Sequence, residues 1–147
     1  MSTKDRFLTA LLALAFVAPA FAVHAGTVLQ EHSQGPVTFV SGGVGQDEAA
    51  AMRQAAADYP LTLEMATAAG GPRDAYIAHA KVDIQDVTGR AVLETTTDGP
   101  LMLVNLPSGI YHVTVNWNGV EREKTVQVGG DRRQHVMLEF PNAPGNN

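Results

Sequence analysis

From residue 61 to residue 140 the chain alternates apolar and polar side chains with a period of two. The clearest run is Tyr111 to Trp117, where Tyr111, Val113, Val115 and Trp117 fall on one face and His112, Thr114 and Asn116 on the other. Such alternation marks a strand with one buried face. The same reading predicts strands in which Leu61, Leu63 and Met65 share a face, and then Tyr76, Ala78, Ala80, Val82 and Ile84. It continues with Ala91–Thr97, Leu101–Leu106, Val120–Val128 and a last strand turning Val136, Leu138 and Phe140 inward. Seven strands at this spacing predict an all-β sandwich.

The turns carry their own chemistry. Asp86 to Gly89, Asp98-Gly99-Pro100 and Asn118-Gly119 punctuate the strands, and Asn-Gly is the strongest short hairpin signal. Pro107-Ser108-Gly109 makes a corner: Pro107 cannot donate to a ladder, and Gly109 is expected at positive φ. Tyr111 should be buried just after this corner with its hydroxyl on a backbone group, and Trp117 and Phe140 should be core. Within Val120–Val128, Arg122 and Lys124 share a face with Val120, Val126 and Val128. Inward charges of this kind protect an edge strand.

Before residue 61 the pattern differs. Gln46 to Tyr59 is Ala-rich, with Met52, Ala55 or Ala56 and Tyr59 at helical spacing, and Pro60 stops it. Its apolar stripe is narrow, so the helix is expected on a surface. Gly45 with Glu48 three residues on resembles a capping box. The Gly42-Gly43-Val44-Gly45 loop ahead of it lacks the Lys of a P-loop, and Asp47 and Glu48 would repel a phosphate. Gly26 to Gly35 is polar and aperiodic, and Pro36–Val40 reads as a short leading strand.

The extreme N-terminus is a separate unit. Lys4 and Arg6 precede an apolar run, Phe7 to Ala18, followed by small residues at Ala20, Ala22 and Ala25. This is a secretory signal peptide pattern, too short to span a bilayer comfortably, with cleavage after Ala22 or Ala25 fitting equally well. The expected organisation is therefore a signal peptide over 1–25 and a flexible segment over 26–44. The helix and sandwich follow over 45–140, with a disordered tail over 141–147. With such an export signal the protein is expected in the periplasm.

Without residues 1–25 the chain keeps 8 basic and 14 acidic side chains, a formal charge of −6. That sign argues against nucleic acid and anionic membrane surfaces as partners. There is no cysteine, hence no disulfide and no thiolate chemistry.

Once VDIQDVTGRAVLETTTDG and LMLVNLPSGIYHVTV are on the page, the segment from about Lys81 to Phe140 resembles a carboxypeptidase regulatory-like domain of the transthyretin-like group. The resemblance rests on D-x-x-G, a D-G turn and L-P-x-G-x-Y, and it covers about half of the chain after residue 25. Pro100-Leu101-Met102 departs from the group, where an aromatic often follows the D-G turn. The whole chain after residue 25 also looks similar to short exported proteins of Gram-negative bacteria that carry such a segment. The resemblance implies a prealbumin-like sandwich serving as an accessory or binding module.

Catalytic constellations are missing from the pattern. There is no G-x-S-x-G elbow, no cysteine nucleophile, and no terminal Y-R-G-S of the transthyretin-related hydroxyisourate hydrolases. His79, His112 and His135 are the candidate metal ligands, but none belongs to an H-x-H or H-x-x-x-H pair. A Cu or Zn site would need two of their strands to be neighbours, so no metal or cofactor is expected. The expected function is a non-enzymatic periplasmic module that binds an envelope protein or small ligand. The alternative is a carrier of a small molecule or of Cu or Zn.

Overall fold

The computed structural model describes residues 26–68 and 77–142. The expected signal peptide with Ala22 and Ala25, Tyr76, and the tail from residue 143 lie outside them. The elements are β1 (Glu31–Gln34), β2 (Val37–Gly42), α1 (Gln46–Ala55) with a 3-10 turn over Ala56–Asp58, β3 (Leu61–Thr67) and β4 (Lys81–Asp86). They continue as β5 (Ala91–Thr96), β6 (Leu101–Asn105), β7 (Gly109–Trp117), β8 (Val120–Val128) and β9 (Gln134–Phe140). A five-stranded sheet in the order β1-β2-β6-β3-β9 faces a four-stranded sheet in the order β5-β4-β7-β8. The result is an all-β sandwich with one short helix.

The described residues form nine strands, where alternation predicts seven. The seven expected from Leu61 onward are present, β2 is the short leading strand read at Pro36–Val40 and runs on to Gly42, and β1 is added from the segment expected to be flexible. Val37 and Phe39 turn into the core, and Val40 turns to the opposite face beneath α1. No apolar residue marks Glu31–Gln34, and all four of its residues are exposed. This strand exists because a hairpin through Gly35, at φ +57°, returns it onto β2, where His32 stacks on Phe39.

The helix follows from topology. β2 and β3 both run antiparallel to β6, which lies between them, so they are parallel to each other. Parallel strands cannot be joined by a tight hairpin and need a crossover. α1 is that crossover, and Met52 and Ala49 cover Val40, Leu101 and Leu103 on the outer face of the sheet. β6 is consequently buried on both faces, with Met102 and Val104 pointing into the sandwich, which explains its uninterrupted Leu-Met-Leu-Val. Glu48 reaches back across the helix start, its carboxylate accepting from the Gly43 and Val44 N–H groups at 2.9 and 3.2 Å. The anion in the glycine loop is thus the protein's own.

Between the sheets, Leu63, Val104, Leu138 and Phe140 meet Val82, Ile84, Val113, Val115 and Trp117. The Trp117 and Phe140 rings meet edge-on at 5.9 Å. β7 buries Tyr111, Val113, Val115 and Trp117, as its alternation predicts. Asn118 and Gly119, at φ +51° and +81°, close the β7–β8 hairpin, and β8 is an edge strand.

Three expectations need correction. Gly109 does not take a left-handed φ; it is the first residue of β7. Its lack of a side chain leaves room beside the Tyr111 ring, which a Cβ would meet at 3.5 Å. Asp98-Gly99-Pro100 is not a hairpin turn but a corner carrying the chain from one sheet to the other. There Gly99 is required by backbone crowding, because a Cβ would stand 2.3 Å from the Gly42 carbonyl oxygen. Finally, β4 starts at Lys81. His79 sits at φ +59°, which breaks the alternation expected from Tyr76, so that Ile77 and Ala80 are both buried. The His79 N–H donates to the Thr97 carbonyl and the Ala80 N–H to the buried Thr97 hydroxyl, and these bonds hold the irregular approach in place.

A candidate ligand crevice between the helix and the sheet

The crossover leaves a crevice of about 330 Å³ where α1 rises off the far side of the five-stranded sheet. Met52, Leu101 and Leu103 form its apolar floor, and Arg53, Glu64 and His135 its polar wall. Each side chain arrives by a separate route. Arg53 follows the buried Met52 on α1 and therefore projects from the helix flank. Glu64 alternates with the buried Leu63 and Met65 of β3, and His135 with the buried Val136 of β9, so both stand on the outer face.

The parallel ladder of β3 and β9 sets Thr62 opposite His135 and Glu64 opposite Met137. His135 therefore lies diagonally beside Glu64, and its Nε2 makes a 2.9 Å hydrogen bond to Glu64 Oε2. Arg53 Nη2 approaches the other carboxylate oxygen at 4.0 Å. Glu64 is the shielded member, with its side chain 24% exposed against 63% for Arg53. Arg133 completes the rim. With Glu64 shared between Arg53 and His135, the crevice keeps a cationic rim on a chain whose overall charge is −5. An apolar floor with a few converging polar groups is the usual form of a small-ligand site.

The candidate metal ligands are not brought together. His112 lies on the outer face of the four-stranded sheet, its Nδ1 3.0 Å from the Thr125 hydroxyl. His135 lies on the outer face of the other sheet, and His79 precedes β4. Among the described residues no three His, Cys, Asp or Glu side chains gather as a metal set. Of the residues singled out for structural roles, Tyr111 and Pro107 meet, the Tyr111 hydroxyl donating to the Pro107 carbonyl at 2.8 Å; the Asp98 N–H donates to Ser41 Oγ at 2.8 Å. Sequence reasoning placed His135 on a polar face but did not find Arg53 and Glu64. His135 and Glu64 are 71 residues apart, and no local motif joins them.

Among the described residues no helix is long and apolar enough to cross a membrane. No family model and no curated protein matches the chain. Among solved structures it is similar to the Bacillus anthracis TIE protein, with 14% identity and a TM-score of 0.43. That similarity covers 57% of this chain and 17% of that one, so this chain spans a small part of its length.

Proposed function

We propose that the protein is a non-enzymatic periplasmic binding module that holds a small apolar anion in the crevice beneath α1. The observation that carries this reading is the Arg53–Glu64–His135 wall standing over a Met52–Leu101–Leu103 floor. The floor removes apolar surface from water, and the cationic rim favours a carboxylate or sulfonate head over a neutral or cationic one. The resemblance over Lys81–Phe140 to carboxypeptidase regulatory-like modules supports a binding role over a catalytic one. The export pattern of residues 1–25 supports the location. Intact-mass measurement on the exported protein is expected to give a chain beginning at Val23 or Gly26.

Isothermal titration with decanoate and with 1-anilinonaphthalene-8-sulfonate tests the site. Both are expected to bind saturably at one-to-one stoichiometry. Arg53→Glu should weaken them about tenfold, the loss of one charge-assisted contact. Ala56→Phe, which fills the crevice from its helical side, should abolish binding. Non-saturable binding, or binding indifferent to both substitutions, would overturn the proposal.

A further inference from the structure

The four edge strands of the sandwich are not equally guarded. β1 is four residues long. β5 is capped by a side chain that imitates a neighbouring strand: Gln34 Oε1 accepts from the Glu94 N–H at 2.7 Å and its amide donates to the Glu94 carbonyl. β8 carries Arg122 and Lys124 in alternation with Val126 and Val128, both charged residues being exposed. β9 is seven residues long, and its open side is met by Arg122 at one end, which donates to the Glu139 carbonyl. Exposed edges of this kind template pairing with another chain.

A groove of about 530 Å³ runs along the open side of β9, between it and β8. The Phe140 carbonyl points to the closed side, where it accepts from the Ala68 N–H, and the Glu139 carbonyl points to the open side, where Arg122 Nε donates to it at 2.8 Å. Successive residues of a strand direct their backbone groups to opposite sides. His135, Met137 and Glu139 therefore direct their N–H and C=O to the open side of β9. Met137, half exposed, stands at the middle of the strand.

The geometry points to a second copy of this chain as the occupant, with β9 pairing antiparallel to its equivalent about a two-fold axis at Met137. An isologous edge contact must be antiparallel, and β9 is self-complementary in this register. On the outer face His135 meets Glu139 of the second copy, and Met137 meets Met137. On the inner face Val136 meets Leu138. Every residue from Gln134 to Phe140 is paired, and the two five-stranded sheets become one of ten strands. Arg122 uses one of the two lone pairs of the Glu139 carbonyl and leaves the other for the incoming N–H. The pairing also sets Glu139 of the second copy beside His135, at the rim of the crevice. The inference rests on the β9 edge alone and is independent of what the crevice binds.

Because the natural chain has no cysteine, a single introduced thiol reports the register. In a hydrogen-bonded antiparallel pair the Cα atoms lie about 5.5 Å apart, within disulfide reach. Met137→Cys should cross-link under mild oxidation, whereas Gln127→Cys, exposed on β8, should not. Sedimentation equilibrium of the unmodified protein should show a doubling of mass with concentration. Glu139→Lys should weaken association about tenfold, and His135→Glu added to it should restore association by setting an ammonium opposite a carboxylate across the pair. A protein that stays monomeric at every concentration would overturn the proposal. So would Met137→Cys cross-linking no faster than Gln127→Cys, or a double variant no better than Glu139→Lys.

Discussion

The hydroxyl of Tyr111 donates to the carbonyl of Pro107, four residues earlier, at 2.8 Å. This bond ties the first turn of β7 to the corner that delivers the chain from the other sheet, while the ring stays buried. Burial first, and the nearby Asp86 charge second, raise the Tyr111 pKa. Tyr111→Phe should cost about 1 kcal/mol, the net worth of one hydrogen bond. Tyr111→Ala should cost about 3–5 kcal/mol through loss of the buried ring. His112→Ala, one residue along on the exposed face, should stay within about 0.5 kcal/mol. Equilibrium urea unfolding ranks the three, and a large effect at His112 would contradict the facing of β7.

Two glycines at neighbouring corners should respond oppositely to the same change. Gly99→Ala drives a Cβ to 2.3 Å from the Gly42 carbonyl oxygen, so backbone must move and the loss should be about 2 kcal/mol or more. Gly109→Ala places its Cβ 3.5 Å from the Tyr111 ring, an ordinary contact, and should be near neutral or stabilising. Thermal denaturation of both variants checks the contrast, and equal losses would contradict it.

Tyr59 sits just beyond α1 and donates to Glu31 on β1 at 2.5 Å. Burial, then the hydrogen bond and charge of Glu31, push its pKa up to about 12. Because the folded value lies above the ordinary 10, the associated stability is fully present below pH 10 and is lost as pH rises towards about 12. Ultraviolet titration should show a late phenolate step that Tyr59→Phe removes. The variant's stability should also fall less than the natural protein's between those pH values.

Asp83 faces Glu94 across the β4–β5 ladder, and its Oδ1 is buried without a hydrogen-bond partner. Like charges directly opposed in a sheet are destabilising. Asp83→Thr, which suits a strand and removes one carboxylate, should therefore raise stability by about 0.5–1 kcal/mol in urea unfolding. A loss of that size would show that the carboxylate is held favourably.

Local chemistry was enough to foretell the strands from Leu61 onward, the Asn118-Gly119 hairpin, the edge position of β8 and the Tyr111 bond. Period-two alternation, turn residues and an aromatic beside a proline corner act within a few residues, so they can be read from the sequence alone. The tertiary structure decided what depends on distant partners. Glu31–Gln34 became a strand only because β2 was there to receive it, and Asp98-Gly99-Pro100 became a corner because β5 and β6 belong to different sheets. His79 left the alternation because Thr97 holds its backbone. The parallel docking of β9 on β3 brought His135 to Glu64 and left the outer side of β9 open. Backbone pairing between segments tens of residues apart leaves no periodicity behind, which is why the candidate crevice and the open edge emerged only from the folded chain.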